Sequence, residues 1–288
     1  MTALTYDSTL VKKDVEGLEF AYHEVGEGEP LILLHGSGPG VSAWSNFQHN
    51  LPVFGEQFRV IAPDLPGFGG SALPELDEIY PVVAAKWIAR LMDHLGIESA
   101  VFIGNSMGGA VVAELAALHP ERVRRMAIMG SGGLSVGIFQ ADPSEGFQRL
   151  FEFLGDPTRD RMIAWIKAMV FNPALITDEL VDERMRNAAA EGVIDRMKAI
   201  FGSMFDPKLR QTYTPLWTKA ATVTTPTLML WGRDDRMLPY DQAHFANRWL
   251  PDVELHTFAR CGHWVQIERK PDFERVAIEF LTREPSAA

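Results

Sequence analysis

The chain has 288 residues, of which 47% are apolar and 23% charged, so it can bury the core of one large domain or two ordinary ones. Its 27 basic and 38 acidic residues give a net charge of −11, and the basic residues form no cluster, so we expect neither nucleic acid nor an anionic membrane as a partner. The single Cys261 excludes an intramolecular disulfide and a thiolate-rich metal site, and it favours a reducing compartment.

The first ten residues, MTALTYDSTL, contain neither a basic segment nor an apolar one, so we do not expect a signal peptide. No window of the sequence approaches the roughly 18 consecutive apolar residues that span a bilayer. The sequence therefore predicts a cytoplasmic protein that does not bind a membrane.

Short apolar runs alternate with helical patterns, which predicts an α/β fold with a mostly parallel sheet and helices on both faces. The weaker alternation of Leu18–Val25 predicts an antiparallel edge strand. The predicted inner strands are Leu31–Leu34, Val60–Ala62, Val101–Ile103, Met126–Met129, Thr227–Trp231 and Val253–Phe258. The predicted helices that separate or follow them are Pro81–Leu95, Met107–His119, Asp241–Trp249 and Asp272–Leu281.

The strand pattern stops between Ser131 and about Lys219. That segment contains two or three helical patterns rich in Met, Phe and Trp, separated by Asp-Pro and Asn-Pro pairs. We interpret it as a helical lid, residues 135–215, inserted between two strands of a core formed by residues 1–134 and 216–288.

A candidate nucleophile lies in Gly104-Asn105-Ser106-Met107-Gly108, which fits the G-x-S-x-G pattern. The pattern directly follows a predicted strand and opens a predicted helix, where a tight turn would project the serine oxygen above the sheet. This context predicts that Ser106 is a catalytic nucleophile. The alternative is a helix that merely begins with small residues.

A serine nucleophile needs a base and a group that orients the base, and on such a sheet the chain order is Ser, then Asp or Glu, then His. His263 follows the last strand and is the predicted base. We expect the other histidines at the surface, except His35, which we interpret as structural. Asp234 and Asp235 both follow the strand that ends at Trp231; we favour Asp235, and Asp234 is the alternative.

The donors for a developing oxyanion should include the backbone N–H of Met107, which follows the nucleophile. A second donor is expected from the loop His35–Gly40 (HGSGPG), where Ser37 is the favoured residue. A phosphate-binding loop is the alternative, but this loop lacks both the Gly-Lys-Ser/Thr ending and the spacing of a dinucleotide motif.

With these residues in place, the chain resembles the α/β-hydrolase superfamily and, within it, the meta-cleavage product hydrolases. The resemblance extends from about residue 18 to residue 281. Its most specific stretches are HGSGPG, WSNF at 44–47, GNSMGG at 104–109, GRDDR at 232–236 and CGHW at 261–264. Segments 132–146 and 175–184 also look like this group.

The resemblance implies hydrolysis of a carbon–carbon bond in 2-hydroxy-6-oxohexa-2,4-dienoates that carry an alkyl or aryl group at C6. It implies that the dienol is first ketonised, and that the products are 2-hydroxypenta-2,4-dienoate and a carboxylic acid. It also implies a homo-oligomer that needs no metal and no organic cofactor.

Arg184 matches the carboxylate-binding arginine of that family. On its predicted helix it has no acidic residue three or four positions away, whereas Arg186 has Asp182 and Glu183 there and is expected to form a solvated ion pair. An unpaired arginine beside an apolar stripe can face a ligand. The alternative is a surface arginine whose stem covers apolar residues.

The family resemblance also assigns substrate contacts to Gly38, Asn46, Asn105 and Trp264; the alternatives are turn and core roles. Apolar lid residues are candidates for the wall around the C6 substituent, although such stripes also occur in ordinary packing. These candidates are Met162, Ile163, Trp165, Ile166, Met169, Val170, Met197, Ile200, Phe201 and Met204.

Two rival functions share the same fold. A carboxylesterase would use the same three residues but would not need Arg184. A non-catalytic ligand receptor would usually lack one of the three. Ser106 argues against a haloalkane dehalogenase, which has Asp at the nucleophile position.

Overall fold

The computed structural model describes residues 4–134 and 143–283. Its centre is an eight-stranded sheet in the order β1-β2-β4-β3-β5-β6-β7-β8. Strand β2 is antiparallel to both β1 and β4, and the other neighbours pair in parallel. The strands are β1 Leu10–Val15, β2 Leu18–Val25, β3 Pro30–Leu34, β4 Arg59–Pro63, β5 Ala100–Asn105, β6 Val123–Met129, β7 Thr227–Gly232 and β8 Val253–Phe258. The predicted α/β fold is confirmed.

The predicted edge strand is wrong in its position. Leu18–Val25 is an antiparallel strand, but β1 covers it and forms the edge of the sheet. The segment LVKKDV of β1 has three exposed residues in a row and no apolar run, so its sequence pattern does not indicate a strand. A tight turn with Glu16 and Gly17 at positive φ joins it to β2.

Thirteen α-helices lie in the described part of the chain, together with three short 3-10 segments, Pro120–Arg122, Pro173–Leu175 and Leu216–Thr222. The four predicted helices are present, each with its ends within two residues of the prediction. None of these helices is long and apolar enough to cross a membrane. The helices are α1 Tyr6–Thr9, α2 Ala43–Phe47, α3 Leu51–Phe54, α4 Tyr80–His94, α5 Met107–Leu118, α6 Glu145–Gly155, α7 Arg159–Met169, α8 Asp178–Ala188, α9 Val193–Phe205, α10 Pro207–Thr212, α11 Asp241–Trp249, α12 Val265–Glu268 and α13 Lys270–Leu281.

Side chains alternate between the two faces of the sheet along each strand, and in the central strand β5 the residues on both faces are buried. In β5, Phe102 packs into one apolar core with α4 and α5. Val101 and Ile103 pack into a second core with α2, α3 and α13. The central strand is therefore held from both sides, and the residues that follow it start from a rigid base.

Five helices, α6 to α10, lie between β6 and β7, more than the two or three predicted. The Asp-Pro and Asn-Pro pairs mark some of the breaks, but α8 and α9 are separated by Gly192 at φ 72°, which the sequence reading did not use. Four of the five begin with a side-chain cap, from Ser144, Thr158, Thr177 and Asp206. The first residues of the predicted lid, 135–142, and the tail 284–288 lie outside the described residues.

Candidate active site

The strand-to-helix turn after β5 holds Ser106 in an unusual backbone conformation, with φ 54° and ψ −113°. Non-glycine residues rarely adopt positive φ, and such strain is concentrated at functional sites. The Ser106 N–H donates a hydrogen bond of 2.8 Å to the carbonyl of Met129, which ties the turn to the end of β6. The residue is 5% exposed, so its hydroxyl lies in a nearly closed space.

The glycines around Ser106 are required by close backbone contacts. A Cβ at Gly104 would lie 2.7 Å from the Gly108 carbonyl oxygen, and one at Gly108 would lie 2.1 Å from the oxygen of Leu34. A Cβ at Gly36 would lie 3.2 Å from the Cβ of Ser106. The turn therefore needs small residues, and the HGSGPG loop packs directly against the serine.

The His263 ring is oriented by a carboxylate. Its Nδ1 lies 2.7 Å from Oδ2 of Asp235, and both side chains are almost completely buried. The second oxygen of Asp235 accepts hydrogen bonds from the N–H groups of Met237 and Leu238, at 2.8 and 2.9 Å. A carboxylate can only accept, so Nδ1 carries the ring proton and Nε2 is the basic nitrogen.

Asp234 has a different contact. Its carboxylate accepts from the N–H of Cys261 at 3.3 Å, and its own N–H donates to the Cys261 carbonyl at 2.9 Å. Asp234 thus fastens the loop after β7 to the loop that carries His263, while Asp235 contacts the histidine itself.

Gly130, which the sequence reading did not select, joins the two halves of the site. It follows Met129 at the end of β6 and has φ 48°. A Cβ there would lie 2.9 Å from His263 Nδ1 and 3.0 Å from Asp235 Oδ2. The Met129 carbonyl also accepts the hydrogen bond from the Ser106 N–H. The Met129–Gly130 segment therefore contacts both the serine turn and the His263–Asp235 pair at the same end of the sheet.

The predicted oxyanion donors directly follow Ser106 in one case and Gly36, which packs on Ser106, in the other. Met107 is the first residue of α5, where backbone N–H groups have no carbonyl one turn earlier to bind. Ser37 lies between Gly36, which packs on Ser106, and Gly38, where a Cβ would lie 2.6 Å from the Trp165 ring. Gly38 is therefore in contact with helix α7.

Arg184 lies on α8 and is only 1% exposed. Its guanidinium carbon lies 5.4 Å from the centroid of the Trp264 ring. Among the described residues, its Nε and Nη1 have no hydrogen-bond partner. Burial lowers the pKa of Arg184 to about 10, partly offset by Glu183, so the group remains cationic at neutral pH. No described residue forms an ion pair with Arg184, and a buried cation in that situation is a strong candidate for binding an anion.

In the described part of the chain, Asn105 Nδ2 and Trp165 Nε1 have no partner. The Trp165 ring meets the Trp264 ring edge to face at 6.0 Å, which links both to Arg184. The sequence pattern predicts Trp165 only as part of the apolar wall. An indole N–H within an apolar stripe is nevertheless a signal that the side chain can also donate a hydrogen bond.

Asn46 is 4% exposed, and its Oδ1 accepts a hydrogen bond from Gln266 Nε2 at 3.3 Å. Gln266 was missed by the sequence reading because it follows CGHW and belongs to no motif. Trp264, at the start of the same short helix, is 4% exposed.

Two expectations about titratable residues outside the site are wrong. Arg186 is exposed, as expected. However, Asp182, one of the acids expected to pair with it, lies 3.3 Å from Arg159, so this residue of α8 pairs with helix α7. His23 is not at the surface: it is 1% exposed, and its Nδ1 lies 2.8 Å from Thr9 Oγ1. The physical reason is that β1 and α1 cover β2, which was expected at the edge.

His35 has the geometry of a structural residue. Its Nε2 accepts the N–H of Leu65 at 2.8 Å, so the proton is on Nδ1, which donates to the Gly36 carbonyl at 2.6 Å. The pKa of His35 is lowered to about 4, chiefly by burial; the Gly36 contact opposes this shift and the charge of Arg184 adds to it. The neutral ring therefore holds the HGSGPG loop in place.

The single cysteine lies one residue before Gly262 in the base loop. Cys261 is fully buried, and burial raises the pKa of its thiol well above the usual range, with Glu268 contributing in the same direction.

Comparison with known proteins extends over nearly the whole chain. Residues 29–270 match the alpha/beta hydrolase fold family. A 2-hydroxy-6-oxononadienedioate/2-hydroxy-6-oxononatrienedioate hydrolase of Comamonas testosteroni is 37% identical, covering 95% of this chain and 94% of that protein. A 2-hydroxy-6-oxo-6-phenylhexa-2,4-dienoate hydrolase of Burkholderia cepacia is 35% identical over the same shares.

Solved structures agree with the sequence relatives. A meta-cleavage product hydrolase from Pseudomonas fluorescens IP01 superposes with a TM-score of 0.84 at 32% identity, covering 94% of this chain and 97% of that one. A 2-hydroxy-6-oxo-6-phenylhexa-2,4-dienoate hydrolase from Rhodococcus sp. strain RHA1 gives the same TM-score at 30% identity, with 95% and 99% covered. The chain is thus a hydrolase of the alpha/beta hydrolase fold and belongs to the meta-cleavage product hydrolases.

Proposed function

We propose that this chain hydrolyses the C5–C6 bond of 2-hydroxy-6-oxohexa-2,4-dienoates substituted at C6, with Ser106, His263 and Asp235 as its catalytic residues. The observation that carries the proposal is Arg184, a buried cation beside Trp264, two of whose nitrogens have no partner in the part of the chain that the structure describes. An ester hydrolase has no use for such a group, whereas the dienoate carboxylate would neutralise it.

The reaction begins with ketonisation of the dienol. The 2-hydroxyl loses its proton and C5 gains one, and His263 handles both transfers through Nε2. This step makes C6 a ketone carbonyl flanked by a CH2 group. It matters because the C5–C6 bond can then break toward a delocalised dienolate rather than a localised carbanion.

Cleavage proceeds by nucleophilic addition. Ser106 Oγ attacks C6 while His263 takes its proton, and the N–H groups of Met107 and Ser37 stabilise the oxygen that becomes negative. The C5–C6 bond breaks, its electron pair passes to O2, and protonation gives 2-hydroxypenta-2,4-dienoate. Water then hydrolyses the acyl-serine to the carboxylic acid. These steps consume one water and need neither metal nor organic cofactor.

We assign the dienoate end of the substrate to Arg184, which binds the carboxylate beside Trp264. Asn46, Asn105 and Gly38 are the further proposed contacts. Trp165, whose ring meets that of Trp264, adds its Nε1 as a donor. The opposite, acyl end would meet the apolar residues of the lid, which we propose extends over residues 135–215 and covers a core of residues 1–134 and 216–288.

We also propose that the enzyme is a homo-oligomer in the cytoplasm. Strand β8 pairs only with β7 and so forms the edge of the sheet opposite β1. Exposed Trp249 and Trp217 lie on the elements that follow and precede β7. Sedimentation velocity of the purified chain measures the number of subunits.

The test of the proposed function replaces Arg184 with Gln and measures both a yellow 6-phenyl dienoate and a nitrophenyl ester. We expect kcat/KM for the dienoate to fall by about 100-fold, the typical loss when one charge-assisted bond to a buried anion is removed. Ester turnover should stay within about twofold, because the ester has no carboxylate to bind.

Arg186→Gln is the matched control, since it removes an exposed arginine two residues away on the same helix. It should leave both activities unchanged. A wild-type enzyme that turned over the ester but no dienoate would establish the carboxylesterase instead. Failure of a fluorophosphonate to label Ser106 would favour a non-catalytic receptor.

A further inference from the structure

Gln266 is a buried amide whose role the assigned chemistry does not explain. It is 0% exposed and lies on the short helix α12, three residues after His263. Its Nε2 donates to Asn46 Oδ1 at 3.3 Å, and within the described residues its Oε1 has no partner. An unpaired buried carbonyl oxygen is unfavourable, and an apolar side chain of the same length would avoid that cost.

The backbone of Gln266 is also fixed. Asn50 donates through Nδ2 to the Gln266 carbonyl at 3.3 Å and to Glu274 Oε1 at 2.9 Å. Lys270 in turn pairs with Glu274 at 2.8 Å. Gln266 therefore projects from a well-anchored turn, and its amide can act as a fixed donor toward Asn46.

The bond to Gln266 decides which end of the Asn46 amide is available. An asparagine amide has an acceptor end and a donor end. With Oδ1 occupied by Gln266, Asn46 has its two Nδ2 hydrogens left to offer. If both amides were reversed, Gln266 Oε1 would accept from Asn46 Nδ2, and Asn46 would present an oxygen instead.

The proposed reaction needs the donor end. When the C5–C6 bond breaks, its electron pair passes through the conjugated chain to O2, which becomes negative. A donor at O2 stabilises that charge, whereas the oxygen of a reversed amide would repel it. We propose that Gln266 is a positioning residue that holds Asn46 in the orientation in which it donates to O2 of the substrate. The inference rests on the proposed function, because only a dienoate carries O2.

The test compares Gln266→Met, Asn46→Ala and the double variant on the 6-phenyl dienoate and on a nitrophenyl ester. Methionine keeps the length of the side chain and removes both polar ends. We expect Gln266→Met to lower kcat for the dienoate by about 10-fold, with ester turnover within about twofold, since one oriented hydrogen bond is lost. Asn46→Ala should lower it by a similar or larger factor.

The double variant carries the decisive result. If Gln266 acts through Asn46, Gln266→Met should have no further effect once Asn46 is alanine. Additive losses would overturn the proposal, as would a Gln266→Met enzyme with the wild-type ratio of dienoate to ester turnover. Thermal melting of each variant separates a folding defect from an effect on the reaction.

Thr227→Val is the matched control, because it removes a buried hydroxyl that donates to the Thr225 carbonyl at 2.8 Å, at the opposite end of β7. It should lower stability without changing the ratio. Wild-type turnover of the dienoate is measured first: its absence would count against the proposed function, while a normal wild type with an unresponsive Gln266 variant would count against Gln266 alone.

Discussion

The hydroxyl of Ser106 is displayed by a backbone that few side chains tolerate. Its positive φ places the residue above the sheet, and the surrounding contacts with Met129 and Gly36 hold it there. Such a conformation costs on the order of 1–3 kcal/mol, which the packing of the turn must overcome. The proposed nucleophile and the backbone strain belong to the same residue, and two substitutions can separate their effects.

Ser106→Ala removes the nucleophile and keeps the strain, whereas Ser106→Gly removes both. We expect dienoate turnover to fall by at least about 1000-fold in each variant. The free energy of unfolding of Ser106→Gly should exceed that of Ser106→Ala by about 1 kcal/mol, because glycine adopts positive φ without penalty. Urea denaturation monitored by circular dichroism measures the difference. An alanine variant with near-normal turnover would exclude Ser106 as the nucleophile.

At the scale of elements, the site is assembled where β5, β6 and β7 end side by side. Each contributes through the residues just past its last pair: Ser106 after β5, Gly130 after β6 and Asp235 after β7. The parallel register sets their separation, so a small displacement at one strand end changes the geometry of all three. Substitution of Gly130 can test this dependence without replacing any of the proposed catalytic side chains.

Gly130→Ala should disturb the His263–Asp235 pair, because the new methyl group would lie within about 3 Å of both side chains at positive φ. We expect kcat to fall by about 100-fold on the dienoate and on the ester alike, since both use the same base. Steady-state kinetics on the two substrates provide the measurement.

The control is Gly202→Ala in α9, where a Cβ would meet nothing within 4 Å. That change should raise stability by roughly 0.5–1 kcal/mol, the usual gain from replacing a helical glycine, and leave kcat unaltered. Equal activity of Gly130→Ala and wild type would mean that the close contact has no consequence for the base.

Predictions from the sequence succeeded where pattern and burial coincide. The bounds predicted for α11 and β8 agree with the structure, because apolar spacing and turn residues mark both ends. The edge strand β1 was missed, since a strand that pairs on one side and faces water needs no apolar run. The lid was divided into too few helices because Gly192, not proline, separates α8 from α9.

The residues of the candidate site also differ in how far the sequence predicts them. Ser106 and His263 follow from motifs whose chemistry requires those residue types. The choice between Asp235 and Asp234 depends on which carboxylate turns toward the ring, and that is set by the N–H groups of Met237 and Leu238. The polar contacts available to Trp165 and Gln266 depend on tertiary packing between segments distant in sequence, which no local sequence pattern encodes.

For the whole molecule, buried histidines link stability to pH. Burial lowers the pKa of both His23 and His35 to about 4, from 6.5 in an unfolded chain. Between these values the unfolded chain binds more protons, so the free energy of unfolding decreases as pH falls from about 6.5 toward 4. Asp64 has the opposite effect, since burial raises its pKa to about 6 and the folded state then holds the extra proton.

His23→Gln tests this dependence away from the site. At pH 7 the variant should be less stable than wild type by roughly 1 kcal/mol, because the contact with Thr9 is altered. The gap should narrow as pH falls toward 4.5, because the unfolded wild-type chain gains a proton at His23 while the folded ring stays neutral, and the variant has no such group. Melting curves at several pH values measure it. A gap that stays constant over this range would show that His23 does not contribute to acid sensitivity.

The burial of Cys261 has a consequence for chemical durability. The only thiol of the chain is sealed beneath the loop that carries His263, and it is kept protonated, so oxidants and alkylating agents find no thiolate on the folded enzyme. The Asp234–Cys261 contacts hold this loop, which carries the proposed base, against the loop after β7. We therefore expect oxidation of Cys261 to require prior opening of the loop, so that the contacts that position His263 also protect the thiol.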